Sequence, residues 1–185
     1  MTQNLHPDLE RVILSAEAID RRVEELARQI EADYRDAGRI YIIGILKGAF
    51  IFMADLTRKL TLPHVVDFMA LSSYGKTTES GAVRILMDLR EPLEGQHVLI
   101  VEDIVDTGHT LNYLDHILRG RGTASLRTCA LVRKQRSGVQ FPLDYLGFEI
   151  PDVWVVGYGL DYADRFRTLP YVAELKRQTY SGQGG

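Results

Sequence analysis

The chain has 185 residues, enough for one domain with a substantial core; 45% are hydrophobic and 25% charged. A formal net charge of −3 argues against a general nucleic-acid or membrane-surface binder, because counterion release needs a basic face. The lone Cys129 sits in an apolar run and rules out an internal disulfide framework. It reads as a core residue of a chain kept in a reducing, cytoplasmic setting.

The first ten residues, MTQNLHPDLE, lack the basic start and apolar run of a secretion signal. No stretch approaches the ~18 apolar residues needed to span a bilayer. From Ser15 to Asp36, apolar Ile19, Val23, Leu26, Ile30 and Tyr34 recur at steps of three and four. That spacing predicts a helix with one buried stripe, capped by Ser15, favoured by Glu17 in its first turn and ended by Gly38. RIYIIGI then reads as a buried strand, and GAFIFMADLTRKL as a helix stopped before Pro63. VVDFMALSSY is a strand, GKTTESGA a loop and VRILMDL a further strand. After Gly95, VLIVEDIVDTGHTL supplies a strand, a polar turn and a helix running to about Arg119. SLRTCALVR is another strand, and VWVVGYGLDYADRF a short strand leading into a polar loop. Residues 181–185, SGQGG, are expected to be a frayed tail.

Strands alternate with helices, and several strands are continuous apolar runs. This predicts an α/β fold with a mostly parallel central sheet flanked by helices. Ligands of such sheets bind beyond the carboxyl ends of the strands. The turns after YIIGI, VLIV and WVVGY are therefore expected on that one edge.

The turn Asp106–Thr110 has the make-up of an anion site. Successive N–H groups at a helix start form a concavity, Gly108 allows close approach, and Thr107 and Thr110 add hydroxyls. It matches neither G-x-x-x-x-G-K-[ST] nor G-x-G-x-x-G, so ATP and NAD sites of those kinds are disfavoured. Glu102 and Asp103 cannot face a phosphate without repulsion; a sugar diol or Mg²⁺ suits them. A phosphate joined to a ribose satisfies both halves of the stretch.

VLIVEDIVDTGHTL resembles the phosphoribosyl-diphosphate (PRPP) signature of the phosphoribosyltransferases. With GILKGAFIFMADL, SSYG, GFEIPDVWVVGYGLDY and FRTLPYV it resembles the hypoxanthine-guanine branch, over about residues 15–172. The resemblance implies the type I phosphoribosyltransferase fold, a single domain with a small hood built from the chain ends. It implies an enzyme of purine salvage: Mg²⁺-dependent transfer of the 5-phosphoribosyl group to N9 of hypoxanthine or guanine, giving IMP or GMP and diphosphate. A homodimer or homotetramer is implied as well.

Roles follow residue by residue. Glu102 and Asp103 would hold the ribose hydroxyls, directly or through Mg²⁺, and Asp106 to Thr110, His109 included, would cradle the 5′-phosphate. Asp106 would lie beside N7 of the purine and assist proton transfer. Lys47 and Gly48, in the LKG loop with an unusual cis peptide between Leu46 and Lys47, would bind the departing diphosphate together with Arg167. Ser73, Tyr74 and Gly75 would begin a lid that keeps water from the reacting centre. Trp154 would stack on the purine and Val155 offer backbone groups to its edge. Asp161 would help bind a second Mg²⁺. A cation is needed for the 6-oxo group; local similarity gives Lys134 and segment spacing gives Arg133, and Lys134 is the reading adopted. PRPP-sensing regulators that bind RNA or DNA share this fold, but would be expected to show a basic face or an added domain. The same chemistry on adenine, xanthine or a pyrimidine is a second rival; losing the lysine-and-aromatic pair would signal it.

Overall fold

In the computed structural model, which describes residues 5–73, 83–136 and 141–181, the order of elements along the chain is as follows. They are β1 (Leu9–Leu14), α1 (Ala16–Asp33), β2 (Ile40–Leu46), α2 (Phe50–Lys59), β3 (His64–Ser73), β4 (Val83–Met87) and β5 (His97–Val105). There follow α3 (His109–Arg119), β6 (Ser125–Lys134), β7 (Tyr145–Ile150), β8 (Val155–Val156), β9 (Val172–Leu175) and α4 (Arg177–Ser181).

The main sheet has six strands in the order β4-β3-β2-β5-β6-β7. Every pairing is parallel except β3 with β4. Successive side chains of β2 point to opposite faces, and both faces are covered. Ile40 and Ile42 join the core under α1 and α2, with Val23, Leu26, Ile30 and Phe52. Tyr41, Ile43 and Ile45 join the core under α3, with Leu111, Leu114 and Leu118. This two-sided burial is why the strands read as unbroken apolar runs. Among the described residues no helix is long and apolar enough to cross a membrane.

The cap of α1 forms as the sequence implies: Ser15 Oγ accepts from the Ala18 N–H at 3.2 Å. The helix closes earlier than expected, with Tyr34 as C-cap, and Gly38 takes φ +70° in the turn beyond. Cys129 is buried in the core, and burial pushes its thiol well above the ordinary range. It packs as a small apolar side chain.

Three strands fall outside the expected set. β7 follows the turn around Asp144 and adds the last parallel strand of the main sheet. β1 and β9 pair with each other, and β8 pairs with β9, in a separate antiparallel sheet. Glu10 and Arg11 interrupt any apolar run in β1. The strand depends on its partner, and Arg11 Nε reaches Glu174 Oε2 at 2.9 Å. This small sheet, drawn from the two chain ends, is the hood. WVVGY therefore belongs to the hood and not to the main sheet.

Candidate active site

β5 stays extended through Glu102 and Asp103 to Val105, so the strand is longer than its apolar run. Asp106 and Thr107 then turn the chain, and Gly108, at φ +77°, caps α3. Glu102, Asp106, Thr107, Gly108 and Thr110 line a cavity of about 80 Å³ at this turn. Its size suits a phosphate-sized group. His109 opens α3 with its side chain exposed.

Beside it lies a second cavity of about 230 Å³, lined by Asp103, Asp106, Lys134, Trp154, Val155 and Asp161 among others. Residues from β5, β6, β8 and the loop beyond β8 thus converge on one space. Lys134 is 11% exposed, with Nζ 3.6 Å from Asp152 Oδ1 and 4.0 Å from Asp106 Oδ2. Arg133 turns the other way, pairing with Glu149 at 2.5 Å. Alternation along β6 separates the two. Trp154 is 45% exposed and borders the cavity. One face of its ring stacks on Tyr180 of α4, with centroids 5.3 Å apart and planes 25° apart.

The LKG loop joins β2 to α2, and its Leu46–Lys47 peptide is cis. Gly48 is wedged between two neighbours. A Cβ on it would fall 1.7 Å from Asp103 Oδ2, and one on Gly159 would fall 2.0 Å from the Gly48 carbonyl oxygen. Only glycine fits at either place. Arg167 donates to the Gly159 carbonyl and to Asp164, each at 2.9 Å, and its Nη2 lies 2.7 Å from Asp161. Lys47 Nζ also reaches Asp164 Oδ1 at 2.9 Å. These two cations hold the Asp164 carboxyl below its usual range. The loop that carries them is contorted: Tyr158, Ala163, Asp164 and Phe166 all have positive φ.

The acidic pair is the least satisfied part of the site. Glu102 Oε2 is closed off from solvent without a hydrogen-bond partner. Burial, then the charge of Asp103, pushes the Glu102 carboxyl well above its ordinary value. Burial likewise raises Asp103 to about 6, opposed by the N–H groups of Ile104 and Asp103 and by Arg167. Among the described residues no three His, Cys, Asp or Glu side chains meet as a ready metal cage. The donors are still of the right kind: hard carboxylate oxygens, one of them orphaned, suit a hard cation or a sugar hydroxyl.

The phosphoribosyl transferase domain family matches residues 12–163. The hypoxanthine-guanine phosphoribosyltransferase of Dictyostelium discoideum is 49% identical, covering 91% of this chain and 97% of that protein. That of Mycobacterium avium is 47% identical over 95% and 91%. The chain belongs to the phosphoribosyltransferase family, among the hypoxanthine-guanine phosphoribosyltransferases. The hypoxanthine phosphoribosyltransferase of Trypanosoma cruzi, solved in complex with the product IMP, superposes with a TM-score of 0.90 at 42% identity. The match covers 96% of this chain and all (100%) of that one. The fold is thus the type I phosphoribosyltransferase fold.

The structure brings together the expected side chains of Lys47, Glu102, Asp103, Asp106, Thr107, Thr110, Lys134, Trp154, Val155, Asp161 and Arg167, whereas that of His109 is exposed and lines neither cavity. Tyr74 and Gly75 lie outside the described residues, as do 182–185; Ser73 is the last residue of β3, and Ser181 the last of α4. Sequence reasoning passed over Asp164, Arg136, Asp152 and Tyr180. Asp164 stands three residues from both Asp161 and Arg167, a charge cluster that could have flagged it. The others act across the fold, and no local pattern marks them.

Proposed function

We propose that this protein transfers the 5-phosphoribosyl group of PRPP to N9 of hypoxanthine or guanine, releasing diphosphate and giving IMP or GMP, in purine salvage. The observation that carries the reading is the adjacency of the two cavities, with Asp106 on the wall of both. One ligand bearing a phosphate, a ribose and a purine would fill them.

In this reading the turn from Asp106 to Thr110 holds the 5′-phosphate through backbone N–H groups and hydroxyls. Glu102 and Asp103 face the ribose hydroxyls or a Mg²⁺ ion, and Asp161 faces the diphosphate side. Mg²⁺, when bound, would supply positive charge against the leaving diphosphate. Lys47, Gly48 and Arg167 contribute to the same end, since an arginine fork can meet two phosphate oxygens. As the bond from the anomeric carbon to diphosphate breaks and the bond to N9 forms, the base must lose a proton; Asp106 is the group placed to accept it. Lys134 donates to the 6-oxo group, and a cation there disfavours the amino group of adenine. The segment beginning at Ser73 would exclude water from the oxocarbenium-like centre. The active form is taken to be a homodimer or homotetramer, which light scattering on the purified protein checks.

The test is direct. The protein is incubated with PRPP, Mg²⁺ and each nucleobase in turn, and nucleotide formation is followed. Turnover with hypoxanthine or guanine, abolished by a chelator, is expected. No turnover with any 6-oxopurine would sink the reading.

A further inference from the structure

Asp106 is held from a direction that its proposed chemistry does not use. Arg136, two residues beyond the end of β6, places Nη1 2.5 Å from Asp106 Oδ1. Its Nε donates to Asp152 Oδ2 at 2.7 Å. Asp152 Oδ1 lies 3.6 Å from Lys134 Nζ, and Lys134 Nζ lies 4.0 Å from Asp106 Oδ2. Two acids and two cations thus close a ring around one end of the base cavity. The ring joins the turn after β5, the end of β6 and the turn before β8 that carries Trp154.

Within that ring the two oxygens of Asp106 are not equivalent. Oδ1 is closed off from solvent and makes an ion pair but no hydrogen bond. The side chain as a whole remains 44% exposed, so Oδ2 is the oxygen left for a ligand. Arginine cannot give up its proton in this setting and so cannot replace Asp106 as the proton acceptor. Its planar fork can fix a carboxylate in rotation, and Asp152 fixes the fork in turn.

We propose that Arg136, anchored by Asp152, is a positioning residue for Asp106: it clamps Oδ1 so that Oδ2 faces the purine. This rests on the transferase reading given above. A base held against Lys134 then meets a carboxylate already turned towards it, which lowers the reorganisation needed during transfer. The effect belongs to the chemical step and not to the grip on PRPP.

Steady-state kinetics of Arg136→Gln, Arg136→Lys, Asp152→Asn and the Arg136→Gln/Asp152→Asn double variant test it, with thermal melts alongside. In Arg136→Gln, kcat is expected to fall about 10- to 100-fold, with KM for PRPP and the melting temperature unchanged. Arg136→Lys should recover part of the loss, since a point cation can still reach Oδ1 without the fork. Asp152→Asn should lose less, and its loss should shrink when Arg136 is already gone, because residues acting in series do not add. Unchanged kcat in Arg136→Gln overturns the proposal, as do losses that multiply in the double variant. A loss carried wholly by KM for PRPP or by melting temperature overturns it too, because that is a structural role. A wild-type protein without turnover overturns the transferase reading and this proposal together; an active wild type with an unaffected Arg136→Gln overturns this one alone.

Discussion

The two edges of the main sheet treat carboxylates in opposite ways. Towards the amino ends of the strands they are partnered. Asp33 receives the Tyr145 hydroxyl at 2.8 Å and pairs with Arg127, and Asp144 receives the Thr128 N–H at 2.8 Å. Arg121, in the turn before β6, forks onto Asp88 at 2.7 and 2.8 Å. At the carboxyl edge, Glu102 Oε2 is shut from solvent with no hydrogen-bond partner, and Asp106 Oδ1, equally shut, has the Arg136 guanidinium beside it at 2.5 Å. A fold gains nothing from a buried carboxylate oxygen that lacks a partner, as that of Glu102 does. The contrast separates groups kept for stability from groups kept for a ligand, and it predicts substitutions of opposite sign at the two edges.

The largest effect is expected at Asp106. Asp106→Asn should lower kcat by about 10² to 10⁴, the usual worth of a positioned acid or base, with little change in melting temperature. Turnover largely retained would remove that acid from the mechanism. Gly48→Ala comes next, because its Cβ would fall 1.7 Å from Asp103 Oδ2. Displacing that carboxylate and the LKG loop by about 1 Å should cost on the order of 10² in kcat/KM for PRPP; an unaffected constant would show that the two loops need not touch.

Asp103→Asn should abolish most turnover and yet stabilise the protein. The carboxyl titrates at about 6 in the fold against an ordinary 3.8, so the unfolded chain releases its proton first. Stability is therefore lost as pH rises through about 4 to 6, and the full cost stands at pH 7. Removing the charge should return on the order of 1–3 kcal/mol at pH 7 in chelator-containing buffer, and nothing near pH 3.5. A melt showing destabilisation at pH 7 would break the comparison between the edges. The smallest effect is at Asp88, whose carboxyl Arg121 holds below its ordinary value. This pair contributes above pH 4 and fades as pH falls through the lowered value. Since both side chains are partly exposed, Asp88→Asn should cost only about 0.5–1 kcal/mol at pH 7. Denaturant melts at pH 7 and pH 3 resolve it, and equal costs at both would mean that the ion pair is not responsible.

Much of this site was legible from the chain because its parts are local. The acidic pair, the anion turn and the LKG loop each lie within one short segment that ends a buried strand, and parallel strands deliver such ends to one edge. Tyr180 behind Trp154, and Arg136 and Asp152 around Asp106, were not legible, because each contact joins segments with no shared periodicity. The hood strands β1 and β9 escaped for the same reason: Leu9–Leu14 is extended only because Val172–Leu175 lies beside it.

Sequence alone determined the alternation of apolar strands and amphipathic helices, hence the parallel sheet and the edge that bears the chemistry. The signature around Glu102–Thr110 was likewise readable, since backbone N–H groups, glycine and hydroxyls act within a single turn. Tertiary structure alone decided which of Arg133 and Lys134 borders the cavity beside Asp106 and Trp154, because the face of β6 that meets it depends on register. It also decided that Gly48 sits hard against Asp103, that Arg167 and Lys47 share Asp164, and that Asp106 meets Arg136 through Oδ1 and Lys134 through Oδ2. Those are properties of side chains brought within 4.0 Å by a fold, and no spacing along the chain encodes them.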